Sequence, residues 1–163
     1  MAAYYCDTSG IAKRYVAETG SAWVKSVTDA ATGNSIYIVE ITAVEIVSAV
    51  TRRVRSGSLS QQDGAASYTD FRSDFNAHYI VVPTDSKLIE DAVNIAIKHG
   101  LRGYDAVQLA AALQVRAERL ALGASAPALI SADTELNAAA FAEGLVHLGL
   151  NSPSVEQIQN VPV

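Results

Sequence analysis

The chain has 163 residues and a formal charge of −5; half of it is hydrophobic and 18% is charged. That is the composition of a globular domain with a real core, not of a disordered segment, and no apolar run reaches the ~18 residues of a membrane span. The single cysteine, Cys6, excludes an internal disulfide or a cysteine-rich zinc site. The acidic balance argues against a passive nucleic-acid binder, which carries a basic face.

In chain order, Ala3 to Cys6 reads as a short buried strand stopped by Asp7-Thr8-Ser9-Gly10. A helix follows from about Gly10 to Val16, and a second amphipathic helix from Ser21, a capping residue, to Ala31. Ile36 to Val39 is the second strand. Thr42 opens a helix with apolar positions Val44, Val47, Ala49, Val50 and Val54 that ends near Ser56-Gly57. Ser60-Gln61-Gln62-Asp63 is a capping box with Asp in place of Glu, so another helix runs to about Phe75. Tyr79 to Val82 is a third strand, stopped by Pro83. Ser86 to His99 is a helix with Leu88, Ile89, Ala92, Val93, Ala96 and Ile97 on one side and Gly100 closing it. Asp105 to Leu120 is an Ala-rich, deeply buried helix. Ala128 to Ser131 is the fourth strand, Thr134 to Glu143 a helix stopped by Gly144, and Leu145 to Leu148 an edge strand.

Strands alternating with helices predict an α/β fold: an α/β/α sandwich around a mainly parallel sheet of about five strands. Residues 1–150 form one domain. Residues 151–163, with two prolines and little periodicity, form a loose or partner-dependent tail. With no basic-then-apolar leader at the N-terminus, the expected location is the cytoplasm.

Four acids stand out because each sits among apolar or small residues where a strand ends or a helix begins: Asp7, Glu45, Asp105 and Asp133. A carboxylate in such company is costly to desolvate unless something compensates it. Asp7 or Asp105 alone reads equally well as a helix cap. Four together predict a shared hard cation with oxygen ligands: Asp7 and Asp133 sit at the carboxyl ends of strands, where ligands bind in such sheets, and Glu45 and Asp105 lean into the same crevice from the first turns of helices. That is the chemistry of a metal-dependent phosphodiester hydrolase, with one or two ions. Ser9 either hydrogen-bonds a metal-bound water or caps the following helix. Arg102, three residues before Asp105, either holds a phosphate or is a helix-terminus charge. Tyr104 reads as core more readily than as a stacking platform, and Cys6 as a buried apolar residue. None of His78, His99 and His147 lies beside a site acid, and Walker-type loops are absent.

The stretches Tyr5-Cys6-Asp7-Thr8-Ser9, Glu45 ahead of Ser48 in its helix, Leu101-Arg102-Gly103-Tyr104-Asp105-Ala106-Val107-Gln108-Leu109-Ala110-Ala111-Ala112 and Leu129-Ile130-Ser131-Ala132-Asp133 resemble the PIN-domain nucleases, and more narrowly the VapC-type toxins of toxin–antitoxin pairs. The resemblance runs from Tyr4 to about Leu148, and its third stretch is the most specific. It implies that Asp7, Glu45, Asp105 and Asp133 are metal ligands, with Ser9 near the metal and Glu135 an open question. It implies an endoribonuclease dependent on Mg²⁺ or Mn²⁺, active as a homodimer and silenced by a cognate antitoxin. Two other readings stand beside it: a PIN-like interaction module that does not cleave, and a DNA-directed nuclease. High apolar content, with exposed-looking apolar positions around Ser21–Ala31 and Gln61–Phe75, supports the dimer.

Overall fold

A computed structural model describes residues 1–150. The sheet has five strands, all parallel, in the order β3-β2-β1-β4-β5. They are β1 (Ala3–Cys6), β2 (Ser35–Val39), β3 (Tyr79–Val82), β4 (Ala128–Ser131) and β5 (His147–Gly149). β1 is central, pairing Tyr5 with Tyr37 of β2 on one side and with Leu129 of β4 on the other. Seven α-helices complete the described fold: α1 (Thr8–Tyr15), α2 (Ser21–Val27), α3 (Thr42–Arg55), α4 (Gln61–Ala77), α5 (Ser86–His99), α6 (Gly103–Ala121) and α7 (Thr134–Ala142).

Period-two alternation along the strands feeds two apolar layers. Tyr5, Val39, Val82 and Leu129 join Leu88, Leu109 and Leu136 on the face covered by α5, α6 and α7. Cys6, Ile36, Ile38, Tyr79 and Ile130 join Ile11, Val24, Ile46 and Phe71 on the face covered by α1 to α4. The inner strands β1, β2 and β4 are covered on both sides, as a parallel sheet requires, while the edge strand β3 leaves Ile80 exposed. The alanines of α6 let it lie deep: Ala106, Leu109, Ala111, Ala112 and Val115 are all buried.

The boundaries differ from the expected ones where side chains compete with the helix. α1 starts at Thr8, not Gly10, because Asp7 is its N-cap and accepts the Gly10 amide. α2 stops at Val27 rather than Ala31. Thr28 donates its hydroxyl to the Val24 carbonyl, and Asp29 then captures the Ala31 amide to start a short 3₁₀ turn, Ala30–Thr32. Ser21 is the first helical residue rather than the cap, which is Gly20 at φ 89°. β5 starts two residues later and ends one later than expected, at His147–Gly149. Residues 151–163, expected as a tail, lie outside the described residues.

The exposed apolar positions also lie elsewhere than expected. On α5 the buried row is Leu88, Ala92 and Ile95, while Ile89, Val93 and Ile97 face solvent. Tyr104, expected in the core, is 59% exposed and lines a hollow with Ile41, Ile89 and Val93. On α4 only Tyr68 among the large apolar side chains is exposed, and Trp23 of α2 packs against the core.

Gly10 fixes how closely α1 approaches the sheet. A Cβ there would collide with the Ile130 carbonyl oxygen of β4, a backbone atom with no room to move. Gly10→Ala is expected to destabilise the fold by about 2 kcal/mol or more, measured by urea denaturation; wild-type stability would contradict this close packing.

Candidate active site

The four acids lie where the topology predicts. Asp7 follows β1, and Asp133 lies two residues beyond β4, the adjacent strand. Glu45 and Asp105 sit in the first turns of α3 and α6. Asp7 is buried at 4% exposure, and the other three are half-buried.

Each carboxylate has its own donors. Asp7 accepts the Gly10 amide at 2.8 Å and the Ser9 hydroxyl at 2.8–2.9 Å. Asp133 caps α7 by accepting the Leu136 amide at 2.9 Å. Arg102, with its side chain 73% exposed, spans two acids: Nε reaches Asp105 Oδ2 at 3.1 Å and Nη2 reaches Asp133 Oδ2 at 3.2 Å. Glu45 Oε2 accepts the Thr8 hydroxyl and the Gln108 amide.

Ser9 is not the helix cap it could have been, since Asp7 caps α1. It lies in the first turn of α1, and its hydroxyl donates to Asp7 while accepting the Ala132 amide at 2.9 Å. It thus ties the end of β1 to the end of β4. Glu135 is exposed and takes no part in this network. His99 pairs with Glu143, His78 lies against Asp74 and His147 meets Phe141 edge-on, all apart from these acids.

Electrostatics couple Asp105 to Asp133 and Glu45, while Asp7 answers to its burial and its own donors. Burial, then the charges of Asp133 and Glu45, push the Asp105 carboxyl up; Arg102 opposes them. Burial pushes the Asp7 carboxyl up to about 6, although the Gly10 amide and the Ser9 and Ser131 hydroxyls pull it down. Burial likewise raises the Cys6 thiol, which stays a neutral, apolar group. Oxygen-only donors that repel one another suit a hard divalent cation. As the side chains stand, however, no group of three or more His, Cys, Asp or Glu among the described residues is gathered so as to hold a metal ion. Two of the carboxylates are turned to Arg102 instead.

Sequence reading missed the polar layer beneath the acids. Gln108 is 2% exposed and bonds Tyr5, Thr8, Thr42 and Glu45. Ser131 accepts the Asp133 amide, and its carbonyl accepts from Asn137. The available signal was one amide in an apolar helical run, three residues past Asp105 and so on the same helix face.

The PIN domain family profile matches residues 4–142, and the chain belongs to that family. Among solved structures the fold is similar to PAE2754 from Pyrobaculum aerophilum, with 18% identity and TM-score 0.58 over 90% of this chain and 83% of that one. It is similar to VapBC2 from Rickettsia felis, solved bound to a DNA fragment from their promoter, with 14% identity and TM-score 0.58 over 90% of this chain and 98% of that one. It is also similar to FitAcB from Neisseria gonorrhoeae, with 16% identity and TM-score 0.56 over 90% and 96%. No curated protein matches the sequence.

Asp7 makes a testable demand on stability. A carboxyl near 3.9 in the unfolded chain and about 6 in the fold binds its proton more tightly when folded. The fold therefore loses stability as pH rises through that window, by an amount on the order of 2–3 kcal/mol. Asn at this position keeps the cap without the charge. In metal-free buffer, Asp7→Asn is expected to melt higher than wild type at about pH 7.5 and to lose that advantage near pH 4. Calorimetry showing a lower melting temperature at neutral pH would contradict the buried-charge account.

Proposed function

We propose that the chain is a Mg²⁺- or Mn²⁺-dependent endoribonuclease, the toxin of a toxin–antitoxin pair, working in the cytoplasm. The observation that carries this reading is geometric: Arg102 joins Asp105 to Asp133, and Ser9 joins Asp7 to the Ala132 amide next to Asp133. Membership of the PIN family supports phosphodiester hydrolysis. The likeness in fold to VapBC2 and FitAcB supports the toxin assignment. No described helix is long and apolar enough to cross a membrane.

Asp7, Glu45, Asp105 and Asp133 are assigned the divalent cation. Held there, such an ion would lower the pKa of a water and polarise a phosphoryl oxygen. Arg102 must leave Asp105 and Asp133 for those carboxylates to converge. Its planar fork suits a phosphate oxygen pair, so we assign the released guanidinium to the RNA backbone. Ser9 holds Asp7 and, through the Ala132 amide, the loop leading to Asp133. A cognate antitoxin silences such a site most simply by presenting an arginine of its own, and the Arg102 bridge illustrates the fit of a guanidinium to these acids. That same bridge favours the second reading, an interaction module that never takes up metal.

Asp105→Asn separates the two. It removes one ligand and one charge and keeps the shape. RNA cleavage with Mg²⁺ or Mn²⁺ is expected to fall by more than about 100-fold, with the metal-free protein at least as stable as wild type. Cleavage at near wild-type rate would sink the metal mechanism, and no cleavage by the wild type itself would favour the interaction module.

The homodimer is assigned to the α5 face. Ile89, Val93 and Ile97 form an exposed apolar row, next to Tyr104 in the hollow before Asp105. Burial of this row against a second copy would bring the two acidic sites toward a common groove. Light scattering is expected to give a dimer mass for wild type and a monomer mass for Val93→Lys. A monomeric wild type, or a dimeric Val93→Lys, would contradict the assignment.

A further inference from the structure

Gln108 has no part in the reading above, yet it is the most heavily bonded polar side chain beneath the acids. Its Nε2 lies 2.9 Å from Glu45 Oε2, 3.0 Å from Thr8 Oγ1 and 3.1 Å from Thr42 Oγ1. Its Oε1 accepts the Tyr5 hydroxyl at 2.9 Å, and Tyr5 is fully buried. The orientation of the amide follows from its neighbours. Glu45 as a carboxylate only accepts, so the NH₂ group must face it and Oε1 must face Tyr5.

Glu45 needs this support more than Asp7 and Asp133 do. Asp7 and Asp133 are short side chains pinned by backbone amides, those of Gly10 and Leu136. Glu45 has one more rotatable bond, and both of its donors are side chains, Thr8 and Gln108. Both donors fall on Oε2. Among the described residues Oε1 has no hydrogen-bond partner. Thr8 is itself steadied by Gln108, since its hydroxyl donates to Glu45 and accepts from the amide.

We propose that Gln108, backed by Tyr5, is a positioning residue for the nuclease reaction: it clamps Glu45 Oε2 so that Oε1 is presented to the divalent cation. The proposal rests on the metal-dependent reading of the site. The contrasting role is structural, in which Gln108 only satisfies the buried Tyr5 hydroxyl and fills the space between α6 and the sheet. The two differ in one respect. A positioning effect passes through the Glu45 carboxylate, and a structural one does not.

A double-mutant cycle on Mn²⁺ affinity, read from the electron paramagnetic resonance of free Mn²⁺, makes the distinction. Gln108→Leu is expected to weaken Mn²⁺ binding about tenfold, and Tyr5→Phe to weaken it less in the same direction. In a Glu45→Gln background, Gln108→Leu is expected to change nothing further. Wild-type affinity in Gln108→Leu, or the same tenfold loss in the Glu45→Gln background, overturns the proposal while leaving the metal reading intact. A wild-type protein that binds no Mn²⁺ overturns both. Should Gln108→Leu fail to fold, Tyr5→Phe carries the same cycle, and an effect that persists unchanged without the Glu45 carboxylate overturns the proposal.

Discussion

Asp7 leaves the central strand with its carboxylate buried, and an anion in that position survives only if donors surround it. The Gly10 amide and the Ser9 hydroxyl supply them. Much of the local architecture follows from this requirement. The donated amide makes Asp7 the cap of α1 and sets where that helix starts. The absence of a side chain at Gly10 lets α1 press against the Ile130 carbonyl of β4. Ser9, carried in on the same turn, reaches the Ala132 amide and draws the β4 loop, and Asp133 with it, toward β1.

The same requirement recurs at the other acids, with a different donor each time. Asp133 uses the first turn of α7, Asp105 uses Arg102, and Glu45 uses Thr8 and Gln108. The compensation is incomplete at Asp7 and Asp105, whose carboxyls stay raised against their donors. Carboxyls left raised in this way cost the fold stability as they ionise toward neutral pH. Arg102 relieves part of this cost from the solvent side. As an exposed, long side chain it is the donor most readily given up.

Sequence patterns revealed the strands and helices because a parallel sheet leaves continuous apolar runs, and Tyr4-Tyr5-Cys6 and Ala128-Leu129-Ile130 are such runs. The placement of the four acids was legible for the same reason, each interrupting apolar sequence at an element's edge. What was not legible depends on rotation and on competition between side chain and backbone. The doublets Leu88-Ile89, Ala92-Val93 and Ala96-Ile97 do not say which member faces the core, and the structure turns Ile89, Val93 and Ile97 outward. Thr28 and Asp29 look like helix residues until their oxygens find the Val24 carbonyl and the Ala31 amide. Gln108 reads as one polar residue in an alanine-rich helix; its partners Tyr5 and Thr42 are 103 and 66 residues away in sequence and meet it only through the fold.

We propose that Asp7, Glu45, Asp105 and Asp133 share a divalent cation and that Arg102 stands in its place without one. Anomalous diffraction from crystals grown with Mn²⁺ tests it most directly. A manganese peak is expected among these four carboxylates, with the Arg102 guanidinium turned away from Asp105 and Asp133. No manganese there, with Arg102 still bridging the two aspartates, would contradict it.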